Sequence, residues 1–206
     1  GPSAVEQTKN GVIVQIDTQD PTQARQVSIE VLGERLIHVS ATPERKFSKK
    51  ESLVVLPQQT GTDFKVEESA DSVFVRTSKL TAAVSRKTGV VHFNDANGRL
   101  LLAEDEQGRS FQPIEEEGTH GYTVQQVFQS ASEDEGLYGL GQHQSDEFNY
   151  KGKNEELFQY NTKVSVPFIV STEGYGVFWD SYSFCRFGAP QPYVQLGDVF
   201  DLRDKD

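Results

Sequence analysis

Apolar side chains recur at every second position along this chain, and that periodicity constrains the fold more than any other feature. It is seen in Val12, Val14 and Ile16, in Val27, Ile29 and Val31, in Val73 and Val75, and around Val124 with a looser continuation at Val127 and Phe128. Successive side chains of a strand point to opposite faces, so such runs predict strands with one face buried and one wet. Turn residues separate them. The clearest hairpin is Val90–Phe93, a turn over Asn94–Gly98 and then Leu100–Leu102, because Asn97-Gly98 supplies the positive φ a tight hairpin turn needs. No stretch carries a sustained i, i+3, i+4 apolar stripe with caps, so little helix is expected. The pattern predicts an all-β fold, an antiparallel β-sandwich.

The 206 residues fit one β-domain, and no break in composition divides them. Thirteen Phe and seven Tyr provide core material although the mean hydropathy is −0.54. The net charge of −11 repels phosphate backbones and anionic lipid, which bind through clustered Lys and Arg. No nucleic acid and no membrane partner is therefore expected, and no apolar run approaches the roughly 20 residues that span a bilayer. Gly1-Pro2-Ser3 resembles the scar of a cleaved tag, and residues 1–8 are read as that scar plus a disordered lead-in. Cys185 is the single cysteine; its alternation with Phe187 predicts burial as a small apolar group. Three segments read as long loops: 41–51, 130–135 and the polar stretch 145–156.

Residues 136–187 are the most distinctive part. Gly136, Gly139 and Gly141 allow positive φ or close backbone approach, and Gln142, His143, Gln144, Gln159 and Asn161 offer neutral hydrogen-bonding groups suited to a polyhydroxylated ligand. In order stand Tyr138-Gly-Leu-Gly-Gln-His143, Phe158-Gln-Tyr-Asn161-Thr162, Pro167-Phe-Ile-Val-Ser171 and Gly174-Tyr-Gly-Val-Phe-Trp-Asp180. This succession resembles the amino-terminal β-sandwich domain of glycoside hydrolase family 31, the retaining α-glucosidases, α-xylosidases and their relatives. Similarity is strongest over 136–188 and weaker over about 64–105.

The resemblance implies a galactose-mutarotase-like supersandwich spanning 1–206, cut before an inserted domain or the catalytic barrel. It implies that catalysis belongs to a separate (β/α)8 barrel of the same polypeptide, which would be the domain's partner along with a carbohydrate substrate. The family's nucleophile motif places Asp two residues after Trp and just before Met. Here the one Trp is followed directly by Asp180 and there is no Met, so no catalytic residue is expected in this chain. A loop of this domain shapes the sugar subsites in the family, and by resemblance it is Gln159, Tyr160, Asn161 and Thr162. Many α-glucosidases carry Asn-x-Asp there; Asn161 brings hydrogen bonds without charge. A periplasmic or secreted parent is implied by the resemblance alone.

Each of these residues also has a plainer role. Asn161 could close a turn on its own backbone, and Asp180 reads as a turn cap before it reads as a catalytic acid. His143, with Asp146 and Glu147 near in sequence, lacks the three or four spaced ligands of a zinc site; no metal and no cofactor is expected, and His143 is read as support for the glycine-rich turn. Trp179 belongs to an aromatic run, Tyr175 to Phe184, that serves a core or a domain interface, or else a sugar-stacking platform. A freestanding carbohydrate-binding module and a structural or adhesive sandwich remain as rival functions.

Overall fold

The computed structural model describes residues 5–47, 61–116, 118–129, 134–142, 154–157, 164–180, 185–188 and 193–201. Among these every regular element is a strand and every recorded strand pair is antiparallel. The fold is all-β, as the alternation predicts. The chain divides into two compact units, residues 1–100 and 101–205.

In the first unit β1 (Val5–Gln7), β2 (Gly11–Gln15), β3 (Gln26–Gly33) and β4 (Leu36–Thr42) form a sheet in chain order. The lead-in expected over residues 1–8 thus includes a paired strand, held at its turn by the Thr8 amide donating to the Gly11 carbonyl at 2.9 Å. Val12 stands opposite Ile29 and Val14 opposite Val27, so the alternating sets of neighbouring strands share one face. All four are fully buried. Burying a Val or Ile side chain is worth roughly 1.5–3 kcal/mol relative to leaving it exposed.

The facing layer consists of β5 (Lys65–Glu68), β6 (Ser72–Arg76), β7 (Leu80–Ser85) and β8 (Val91–Asp95), each paired with the next. Val73 pairs with Val84 and Val75 with Ala82, again all fully buried. The layers meet where the side chains of Val27 and Ile16 close on Gly89, at the turn between β7 and β8. At the β6–β7 turn the Thr77 hydroxyl donates to the Glu34 carbonyl at 2.6 Å and the Ser78 hydroxyl to the Glu34 carboxylate at 3.0 Å. These bonds tie that turn to the β3–β4 turn. The turn after β8 has the chemistry its sequence predicts: Gly98 has φ +82, and the Asp95 carboxylate accepts from the amides of Asn97 and Arg99, both at 2.9 Å.

The second unit is built on the long strand β11 (Thr119–Gln129). Along one edge β9 (Leu100–Glu104) and β10 (Ser110–Glu116) follow one another, and β17 (Tyr193–Asp201) pairs with the other edge. Beyond β17 come β16 (Cys185–Gly188) and β13 (Asn154–Leu157). Residues 154–156, read from sequence as loop, therefore belong to a strand. Their sequence carries no alternation, and their backbone pairs with β16. Phe111 and Tyr122 meet edge to face at 6.1 Å across the β10–β11 hairpin, a geometry aromatic rings prefer.

The irregular alternation around Val124 has a specific cause. Val124, Gln126 and Phe128 share the buried face of β11, so a polar residue stands where the pattern calls for an apolar one. Gln126 accepts from Nε of Arg109 at 3.0 Å, and Arg109 Nη2 also donates to both oxygens of Glu104, at 2.7 and 2.6 Å. Arg109 and Glu104 are 7% and 4% exposed. The turn between them, Asp105–Gly108, brackets Val127: the Asp105 amide donates to the Val127 carbonyl and the Val127 amide to the Gly108 carbonyl, both at 2.9 Å. That turn carries Glu104 and Arg109 inward together, so each charge meets its counterpart out of water.

Candidate functional site

The glycine-rich segment singled out in the sequence forms β12 (Leu137–Gln142), in a three-stranded sheet with β14 (Val164–Ser171) and β15 (Gly176–Phe178). Leu137, Leu140, Ile169 and Ser171 are buried at 4% exposure or less. Tyr138, Phe168, Val170 and Phe178 are exposed, at 36%, 41%, 43% and 37%. Register explains why these four share a face: Tyr138 stands opposite Val170, and Phe168 opposite Phe178. Glycines let the rings lie down on the sheet. A Cβ at Gly176 would meet the Phe168 ring at 3.1 Å, and one at Gly136 would meet the Tyr138 ring at 2.9 Å.

The sheet is held by backbone features that ordinary strands avoid. Between the pairs Gly139–Ile169 and Gly141–Ser165, β14 has three residues where β12 has one. Pro167 lies in that bulge, one of the places where a strand accommodates a residue without an N–H. Opposite it, Gly139, Leu140 and Gly141 all have positive φ, at 131, 67 and 92. For Leu140 this is the left-handed region, at a cost of about 1–3 kcal/mol. The strain brings a residue out of phase with Leu137 back to the buried side. Gly139 admits no substitute, since a Cβ there would lie 2.4 Å from the Phe168 carbonyl oxygen.

A buried carboxylate fixes the base of this sheet. Glu135, 1% exposed, accepts from the Ser171 hydroxyl at 2.5 Å and from the Tyr175 hydroxyl. The neighbouring Gly136 amide donates to the Thr172 hydroxyl at 2.9 Å, and its carbonyl accepts from the Thr172 amide at 3.0 Å. Thus residues 135–136 are bonded to the β14–β15 turn by both backbone and side chain. Burial, followed by the adjacent Glu135 carboxylate, pushes the Tyr175 phenol well above its ordinary pKa. Nothing in the sequence pattern marks Glu135, which reads as one acid of the run Glu133-Asp134-Glu135.

Of the residues expected at a sugar site, Trp179 and Asp180 are half-buried just beyond β15. His143, Gln159, Tyr160, Asn161 and Thr162 lie outside the described residues. Gly139 and Gly141 have the positive φ foreseen for them, and Gly136 the close approach. Among the described residues no three His, Cys, Asp or Glu side chains are grouped to hold a metal.

Comparison with known proteins gives a consistent result. Residues 26–187 match the family described as glycosyl hydrolase 31 N-terminal galactose mutarotase-like domain. The crystal structure of a GH31 α-xylosidase from Xanthomonas citri superposes with a TM-score of 0.83 at 42% identity, over 91% of this chain and 20% of that one. A GH31 α-xylosidase from a soil metagenome, complexed with xylose, gives 0.80 at 27% identity, over 95% of this chain and 30% of that one. An α-xylosidase of Saccharolobus solfataricus is 34% identical over 173 residues, 76% of this chain. The chain spans 22% of that relative's length.

Proposed function

Because the chain belongs to the glycosyl hydrolase 31 N-terminal galactose mutarotase-like family, we propose that it is the non-catalytic amino-terminal domain of a retaining α-glycosidase that acts on α-xylosides. The observation that carries the reading is the match over residues 26–187, which runs through both compact units and supports one domain. The substrate class rests on the α-xylosidases among the relatives, at 42%, 34% and 27% identity. α-Glucosides are the neighbouring class. The domain buttresses the catalytic (β/α)8 barrel and lends its loop Gln159–Thr162 to the sugar subsites, with Asn161 bonding hydroxyl groups and His143, Trp179 and Asp180 supporting the wall. Retaining glycosidases work with two carboxyl groups about 5 Å apart on either side of the scissile bond, and both belong to the barrel.

The 206-residue chain incubated with chromogenic α-xylosides and α-glucosides is expected to release no aglycone above buffer. Turnover that disappears on Asp180→Asn would overturn the assignment of catalysis to the barrel. In the full-length enzyme Asn161→Ala should lower kcat/KM by the loss of one or two hydrogen bonds, about 1–3 kcal/mol, with folding unchanged. A turn-capping Asn161 would instead lower the Tm and leave kinetics alone. Measuring both on the same variant separates the roles.

A further inference from the structure

The outer face of the three-stranded sheet is an anomaly on this molecule. The chain carries a net charge of −11 and a mean hydropathy of −0.54, yet Phe168, Val170 and Phe178, with Tyr138 beside them, present one uncharged apolar surface. Scattered apolar residues on a surface are ordinary; a contiguous set is the mark of an interaction site. The set is not an accident of a loose edge. Strained Leu140, the Pro167 bulge and the Glu135–Ser171–Tyr175 hydrogen bonds all hold this sheet to one shape. Gly136 and Gly176 leave room for the Tyr138 and Phe168 rings, which a Cβ at either position would crowd.

We propose that this face is where the catalytic domain of the same polypeptide docks, a partner surface that is apolar and uncharged at its centre. The inference rests on the functional reading above, and the lengths of the relatives single out this occupant. A domain like this one makes up 20% of the Xanthomonas citri chain and 22% of the Saccharolobus solfataricus chain, so in each it is covalently joined to a body several times its size. A tethered partner is at high effective concentration, and an apolar face of modest area suffices to seat it. Aromatic side chains at the centre of such a contact carry a disproportionate share of the binding energy. A second copy of the chain, by contrast, would have to meet this face from dilute solution.

The test places a cysteine at Val170 or at Phe178 and follows maleimide labelling peptide by peptide with mass spectrometry. It is run in the 206-residue chain and in the full-length polypeptide, each scaled to its own rate in denaturant. Both positions should label at least tenfold more slowly in the full-length protein than in the isolated chain. Two separated positions guard against a variant that fails to fold. Equal rates at both positions would overturn the proposal. So would slow labelling of an isolated chain that sediments as a dimer, which would make the face a contact between copies. Fast labelling in a full-length protein that hydrolyses α-xylosides would sink the docking face and leave the functional reading standing. Protection without any α-glycosidase activity would sink the functional reading, and with it the barrel as the occupant.

Discussion

Arg109→Ala is expected to cost about 3–5 kcal/mol of stability, because it strands the Glu104 carboxylate in a site that water does not reach. In the native chain the guanidinium serves both oxygens of Glu104 and the side-chain carbonyl of Gln126. A salt bridge on the surface would be worth at most about 1 kcal/mol, so burial decides the size of the effect. Removing both charges together, as Arg109→Met with Glu104→Leu, should recover much of the loss, since desolvation offsets most of the attraction between a buried pair. Urea unfolding of the two variants measures the difference. A single variant within 1 kcal/mol of the native chain would show that the pair is hydrated in solution.

Glu135→Ala should be nearly as severe. It removes the acceptor for the hydroxyls of Ser171 and Tyr175, and a buried polar group left without its partner costs about 1–3 kcal/mol. Tyr175→Phe keeps the carboxylate and its Ser171 bond, so a smaller loss is expected. It should also change the alkaline limb of the stability curve. The phenol's pKa is raised in the folded chain by burial and by Glu135, whereas in the unfolded chain it titrates near its ordinary value of about 10. The contribution is therefore fully present below about pH 10 and is lost as pH climbs towards the folded value. Native stability should fall more steeply above pH 10 than that of Tyr175→Phe; parallel curves would remove Tyr175 from the network.

The parts of the fold that could be read from sequence are those in which side-chain chemistry and strand geometry agree. Val12, Val14, Val27, Ile29, Val73 and Val75 announce their faces by alternation, and each is fully buried. Asn97-Gly98 announces its turn, because the required φ favours so few residues. The legible part ends where a polar residue occupies a core position. Gln126 breaks the alternation of β11 because Arg109 needs an acceptor there, and Arg109 is 17 residues away in sequence. Strand β10 holds Pro113 and ends in Glu115-Glu116, and β13 is made of Asn, two Glu and Leu; both owe their conformation to partner strands.

The same limit applies to the candidate site. The glycines of β12 were legible as close-approach or positive-φ positions, but no rule of spacing marks Glu135 as the buried member of an acidic run, nor Leu140 as a strained residue. Their roles come from Ser171, Tyr175 and the Pro167 bulge, which lie some 30 to 40 residues further along the chain. The exposed face was half legible. Phe178 belongs to the aromatic run legible in the sequence, while Tyr138, Phe168 and Val170 join it only through pairing register.

Retention of configuration is the chemical mark of the parent proposed for this domain, a retaining α-glycosidase whose chemistry lies outside it. Proton NMR of the full-length enzyme acting on an aryl α-xyloside tests it most directly, by following the first anomer of xylose released before mutarotation. α-Xylose is expected as the initial product, because two displacements at one carbon restore its configuration, and the β-xyloside should not react. Initial release of β-xylose, or an enzyme inert towards both α-xylosides and α-glucosides, would contradict it.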